Sequence, residues 1–152
     1  MDIIFDIDGT LADLTHRLHW IKSKPKNYKA FMEACPLDGE ITPVVRLARA
    51  LDSIQFSTGP GEKIRLIFCS GRSDEYREQT AQWLAEADLG PDHLYMRKAG
   101  DYRKDSIVKS ELLDQIRADG FNPQLVFDDR QQVVDMWRER GLICCQVAKG
   151  DF

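Results

Sequence analysis

The chain opens on an apolar run that ends in acids. In Met1-Asp-Ile-Ile-Phe-Asp-Ile-Asp-Gly-Thr10, the residues Ile3, Ile4, Phe5 and Ile7 read as a buried strand with Asp6 and Asp8 at its carboxyl end. Carboxylates have little reason to finish a buried strand unless a metal or a charged substrate meets them there. In an open sheet of parallel strands, the carboxyl ends are where ligands bind. The rest of the chain must therefore supply a sheet around this strand and partners for its acids.

The rest of the sequence alternates between strand and helix patterns. Strands are expected at 64–69, 94–96, 124–127 and 142–147. Helices are expected at 42–54, opened by Thr42-Pro43, and at 75–87, 106–117 and 133–140. Ser57-Thr-Gly-Pro-Gly61 reads as a loop. This order predicts an α/β fold with a central, mostly parallel sheet covered on both faces. One connection is too long for a single crossover. Leu11, Leu14, Leu18 and Ile21 are spaced for one face of a helix, and Tyr28, Phe31 and Met32 suggest a short second one ending near Cys35-Pro36. Residues 11–38 are therefore read as a small helical cap inserted after the first strand, within a single domain spanning 1–152.

Composition narrows the function classes. The 152 residues are 43% hydrophobic and 30% charged, as in an ordinary soluble globular protein. No apolar run is long enough to span a membrane, and no signal peptide is expected ahead of the strand. The four cysteines lack metal-ligand spacing; Cys69, Cys144 and Cys145 lie in apolar runs and are expected to be buried thiols of a cytoplasmic protein. A net charge of −4 argues against a protein that coats nucleic acid non-specifically, while leaving room for a local basic groove.

Polar groups recur at successive strand ends: Asp6 and Asp8, then Ser70 and Arg72, then the basic loop with Lys104, then Asp128 and Asp129. A helix cap explains any one of them taken alone. Capping does not account for a set on every strand, nor for four carboxylates gathered at one edge against their mutual repulsion. A hard divalent cation such as Mg²⁺ resolves that repulsion and commonly bridges to phosphate. Oxygen ligands alone leave Mn²⁺ or Co²⁺ as substitutes.

Asp6-Ile-Asp8-Gly9-Thr10, Ser70, Lys104 and Asp128-Asp129 resemble the four motifs of the haloacid dehalogenase superfamily of phosphohydrolases. A closer resemblance is to the 3′-phosphatase domain of phage polynucleotide kinase-phosphatases. It rests on Arg17, Ser70-Gly71-Arg72, Gly100-Asp101-Tyr-Arg-Lys104-Asp105, Asp128-Asp129-Arg130, Val133-Val-Asp-Met-Trp137 and the ending Gln146-Val-Ala-Lys-Gly-Asp-Phe152. The resemblance implies a Rossmannoid three-layer sandwich. It implies Asp6 as a nucleophile forming an aspartyl-phosphate, and Asp8 as the group that protonates the leaving oxygen and then activates water. Mg²⁺ would be held by Asp6, the backbone carbonyl of Asp8, Asp129, and Asp128 directly or through water. Ser70 would bind a phosphoryl oxygen and Lys104 would neutralise its charge, with Gly9 and Thr10 at the turn beneath the phosphate. Arg17, Gly71 and Arg72 are further candidates for substrate contact, and Asp101 for orienting a basic neighbour.

The chain departs from those enzymes in lacking a G-x-x-x-x-G-K-[ST] stretch, which Gly59-Pro-Gly61-Glu-Lys63 does not satisfy. It is read as a phosphatase acting alone or as the phosphatase half of a longer protein, with a separate polynucleotide kinase or ligase as a partner. The substrate implied is a phosphorylated nucleic-acid end. A nucleoside monophosphate is the alternative substrate, and a non-catalytic end-binding module the third reading. Lys22, Lys24, Lys26 and Lys29, with Trp20 and Tyr28 among them, suit a nucleotide or a single-stranded end.

Overall fold

The computed structural model describes residues 1–54 and 64–150. The loop expected at 57–61, the Gly59–Lys63 stretch and the last two residues of the resembling C-terminal ending lie outside the described residues.

The first strand, β1 (Asp2–Phe5), sits at the centre of a five-stranded sheet. On one side lie β4 (Arg65–Ser73) and β5 (Leu94–Arg97); on the other lie β6 (Pro123–Asp128) and β7 (Ile143–Gln146). Every pairing in this sheet is parallel. The chain builds outward from β1 in one direction, then returns to build in the other. Beyond the carboxyl end of β1 is therefore the switch point at which open α/β sheets form their ligand crevice.

Strand periodicity divides the core in two. Ile3, Phe5 and Ile7 point to one face, where they meet Leu66, Phe68, Val45, Ala48, Trp83 and Leu84; the last four belong to α3 (Thr42–Ile54) and α4 (Arg77–Glu86). Ile4, Ile67 and Val126 point to the other face, against α5 (Asp105–Ala118) and α6 (Gln131–Glu139). Because side chains alternate, the two-residue steps from Ile4 to Asp6 and from Val126 to Asp128 put both acids on the α5–α6 side. Ser70, two residues beyond Phe68, belongs by the same alternation to the α3–α4 side.

The long connection differs from the helix expected at 11–21. Tight backbone hydrogen bonds from Leu11 and Ala12 back to Ile7 close a turn, and Ala12–Asp13 (β2) pairs antiparallel with Gly39–Glu40 (β3). The insertion is thus tied at its neck by a two-residue ribbon. It contains a 3₁₀ turn at Thr15–Arg17 and the short helices α1 (His19–Lys22) and α2 (Tyr28–Glu33). Leu11 and Leu14 are buried as their periodicity suggests, but outside any helix.

The last strand also corrects an expectation. Cys144 is buried, whereas Cys145 is exposed. β7 is an edge strand with one face uncovered, which leaves Ile143 69% exposed on the same side as Cys145.

Candidate active site

Asp6, Asp128 and Asp129 are all buried, and each offers a carboxylate oxygen within 4.8 Å of the others. The residue that balances them is Lys109. Its Nζ donates to Asp6 Oδ1 at 2.6 Å and to Asp128 Oδ2 at 2.9 Å, with Asp105 Oδ2 at 3.9 Å. Trp137 Nε1 and the Arg130 amide donate to the two oxygens of Asp128 at 3.1 Å each. Burial raises the Asp6 carboxyl well above its ordinary value against the attraction of Lys109, and the neighbouring Asp128 and Asp129 add to the rise.

Lys104, expected to neutralise the phosphoryl group, is not the lysine at Asp6. It is exposed at the N-cap of α5, on the rim of the cavity described below. One helical turn further in, a side chain on the inner face of α5 reaches the sheet edge, and that position is 109. The sequence carried a signal for it. Lys109 interrupts the apolar face of Val108, Leu112, Leu113 and Ile116, and stands four residues after Asp105.

Asp8 faces a different group. Its Oδ2 accepts from Arg72 Nε at 2.9 Å and its Oδ1 from Arg72 Nη2 at 2.7 Å, while Arg17 Nη2 donates to the same Oδ1. Burial would raise the Asp8 carboxyl, but the two guanidiniums outweigh it and hold the group far below the usual carboxylate range. Its carboxylate is thus committed to arginine rather than to the acidic cluster. Asp38, at the end of the insertion, ties the guanidiniums together. It accepts from Arg17 Nε and Nη2 at 2.7 Å each and from Arg72 Nη2 at 2.8 Å, and His16 Nε2 lies 2.9 Å from its Oδ1.

Arg17, a candidate phosphate contact, is fully buried. Its remaining nitrogen, Nη1, donates to the Phe31 carbonyl at 3.2 Å, and its guanidinium sits 4.2 Å from the Phe31 ring centroid. With every nitrogen engaged, it holds Asp8 and the insertion instead of facing the cavity. Ser70 is also fully buried, with Oγ accepting from the Arg72 amide at 3.2 Å. The Thr10 hydroxyl is buried and has no partner among the described residues. Asp101 pairs with Arg103, whose Nη2 lies 2.7 Å from Asp101 Oδ2.

Glycines make room for these acids. Gly9 has φ +84°, and a Cβ there would fall 2.3 Å from Asp129 Oδ2; at Gly71 a Cβ would fall 2.2 Å from Asp105 Oδ1. The C-terminal segment closes the other side of Asp129. Gly150 N and Gln146 Nε2 donate to its carbonyl at 3.1 and 2.9 Å, and a Cβ on Gly150 would meet Asp129 Oδ2 at 2.2 Å. The resembling tail thus packs directly on the acidic cluster.

The sequence pattern of the polynucleotide kinase PNKP phosphatase domain spans residues 1–152. The chain belongs to that family. A bifunctional polynucleotide kinase/RNA ligase from Autographa californica nuclear polyhedrosis virus, so described, is 30% identical over 138 residues, covering 90% of this chain and 18% of its own. A chain of the Pnkp1/Rnl/Hen1 RNA repair complex superposes with a TM-score of 0.78 at 36% identity, covering 99% of this chain and 43% of its own. The present chain therefore spans less than half the length of both relatives. A haloacid dehalogenase-like hydrolase from Streptococcus pneumoniae shares the fold, with a TM-score of 0.65 at 13% identity over 95% of this chain and 83% of its own.

In this PNKP-type phosphatase domain the acidic cluster opens into a cavity of about 790 Å³ between the insertion and the loop at 97–104. Asp6, Asp8, Asp129, Lys109 and Arg72 line its floor. Asp101 and Gly71 also face it. The donor set fits a hard cation: clustered carboxylates, only partly balanced by one lysine, with glycine on two sides. Asp6 and Asp129 are the ligand candidates that face the cavity, with Asp128 behind them holding Lys109.

Metal binding should depend on pH in a defined direction. Burial, aided by Asp128, pushes the Asp129 carboxyl up to about 6. The metal-free native state therefore holds protons that the unfolded chain has released, and stability falls as pH rises from about 4 to about 6. A cation that binds the ionised cluster restores that loss. Millimolar Mg²⁺ is expected to raise the melting temperature at pH 7.5 and to do so much less at pH 5. An equal rise at both pH values, read by calorimetry, would contradict ionisation-linked binding at this cluster.

Proposed function

We propose that this domain is a Mg²⁺-dependent phosphomonoesterase that removes 3′-phosphates from RNA or DNA ends through an aspartyl-phosphate on Asp6. The observation that carries this reading is the buried Asp6, balanced by Lys109, at the floor of a cavity that also presents Arg72 and Asp8. Membership of the family and the likeness to a chain of an RNA repair complex support the substrate class.

In this reading an Asp6 oxygen attacks phosphorus, the bond from phosphorus to the 3′ oxygen breaks, and Asp8 delivers a proton to the leaving oxygen. Water then attacks phosphorus, Asp8 takes its proton, and Asp6 leaves as carboxylate. The guanidiniums that orient Asp8 also favour its anion, so an arriving phosphate must compete for Arg72 before Asp8 takes up a proton. Lys109 keeps Asp6 aligned and balances charge around phosphorus. A bound Mg²⁺ would screen the repulsion between carboxylate and phosphate and polarise the phosphoryl oxygens. Residues 11–38 would act as a cap over this floor. A separate kinase or ligase activity would act on the ends produced, in the cytoplasm, a setting that suits four free thiols.

The test compares phosphate release from a 3′-phosphorylated oligonucleotide with release from 3′- and 5′-mononucleotides, each with Mg²⁺ and with EDTA. Release from the oligonucleotide, lost in EDTA, is expected. Turnover of 5′-mononucleotides with none of the oligonucleotide would assign the domain instead to small nucleotides.

A further inference from the structure

The cavity is larger than a phosphate needs, and one element on its rim has no role in the chemistry or in the fold. Tyr102 is 96% exposed. An aromatic ring so exposed buries almost nothing and adds little to stability. Yet the backbone that presents it is fixed on both sides. Arg97 Nη1 donates to the Asp101 carbonyl at 3.0 Å and to the Arg103 carbonyl at 2.8 Å, so the residues flanking Tyr102 are held by one guanidinium. The same guanidinium reaches the floor of the site, with Nε donating to the Gly71 carbonyl at 2.7 Å and Nη2 to Asp105 at 2.9 Å. Asp101 accepts from the Arg103 amide at 3.0 Å, and Asp74 accepts from the Ala99 amide at 2.8 Å. The ring is thus mounted on a stiff loop whose position is referenced to Gly71 and Asp105.

The part of the cavity lining that comes from the insertion repeats this chemistry. Tyr28 is 59% exposed at the start of α2, with Lys26 Nζ 5.7 Å from its ring centroid. Tyr28, Lys22 and Lys26 from the insertion and Tyr102, Lys98 and Lys104 from the 97–104 loop line the same cavity. Exposed rings flanked by cations suit a strand of nucleic acid, whose bases stack while its phosphates are neutralised.

We propose that Tyr102, which lines the same cavity as Tyr28, is a platform on which a nucleobase of a single-stranded 3′-phosphorylated end stacks. This rests on the end-processing reading above and adds the feature that selects a base-bearing polymer end over a bare phosphomonoester. The Arg97 clamp lowers the ordering cost of binding, because the loop is fixed before substrate arrives.

The experiment uses two oligonucleotides that share a 3′-terminal phosphate, one with bases on its last two sugars and one abasic at both. Wild type should favour the base-bearing oligonucleotide by about tenfold in kcat/KM. Tyr102→Ala should erase that ratio through KM, Tyr102→Phe should keep it, and the melting temperature should not move, since the side chain is exposed. If Tyr102→Ala retains the wild-type ratio, or if wild type cleaves both oligonucleotides equally, the stacking platform is wrong while the phosphatase reading stands. If wild type cleaves neither but hydrolyses mononucleotides, both are wrong.

Discussion

Lys109→Met should lower kcat at least a hundredfold, and Lys104→Met should stay within about threefold of wild type. The two lysines are five residues apart, and only one reaches the chemistry. The Lys109 ammonium lies 2.6 Å from Asp6 and 2.9 Å from Asp128, and is itself buried. Removing it leaves Asp6 and Asp128 without the ammonium that contacts both. Breaking a buried ion pair from one side commonly costs about 3–5 kcal/mol. Kinetics should therefore be read at a temperature where circular dichroism shows the variant folded. Lys109→Arg separates charge from shape: it keeps the cation but puts a planar fork where a compact ammonium fits, and a loss of more than tenfold is expected. An inactive Lys104→Met beside an active Lys109→Met would overturn the assignment.

Asp6→Asn should abolish turnover, by at least about a thousandfold, while leaving the protein as stable as wild type or more so in the absence of metal. The stability argument follows from the acidic cluster. Burial holds the Asp6 carboxyl well above its ordinary range despite Lys109, and Asp128 and Asp129 push in the same direction. A neutral amide relieves that repulsion, and Lys109 keeps its ion pair with Asp128 at 2.9 Å, so the buried ammonium is not left uncompensated; sites that store such tension for function gain stability when it is removed. The rise in melting temperature with Mg²⁺ should shrink in the same variant. Acid-quenched mass spectrometry should find a phosphoryl adduct on the wild-type peptide containing Asp6 and none on the variant. Turnover comparable to wild type would sink the covalent route. A sharp fall in metal-free stability would instead give Asp6 a structural role.

The order of elements was readable because it rests on local periodicity and turn residues. Runs such as Ile64–Cys69 and Gln124–Phe127 locate two of the flanking strands, and the α5 and α6 faces carry their apolar spacing in plain view. The insertion was harder. Leu11, Leu14, Leu18 and Ile21 fit a helical face, but hydrogen bonds to the Ile7 carbonyl and pairing with Gly39–Glu40 took the backbone elsewhere. Long-range pairing of this kind leaves no trace in local spacing.

Within the site, strand alternation already brings Asp6 and Asp128 together. Asp6 and Asp128 end strands whose side chains alternate, and adjacent parallel strands bring their carboxyl ends to one edge. How those charges are balanced depends on packing between elements. The distance from the sheet edge to the inner face of α5 selects Lys109 over Lys104. Only the folded insertion brings Asp38 against Arg17 and Arg72 and so commits both guanidiniums to Asp8. Strand alternation can be counted along a chain. The partner of a buried charge depends on what the other elements bring within about 3 Å of it, and that is a property of packing.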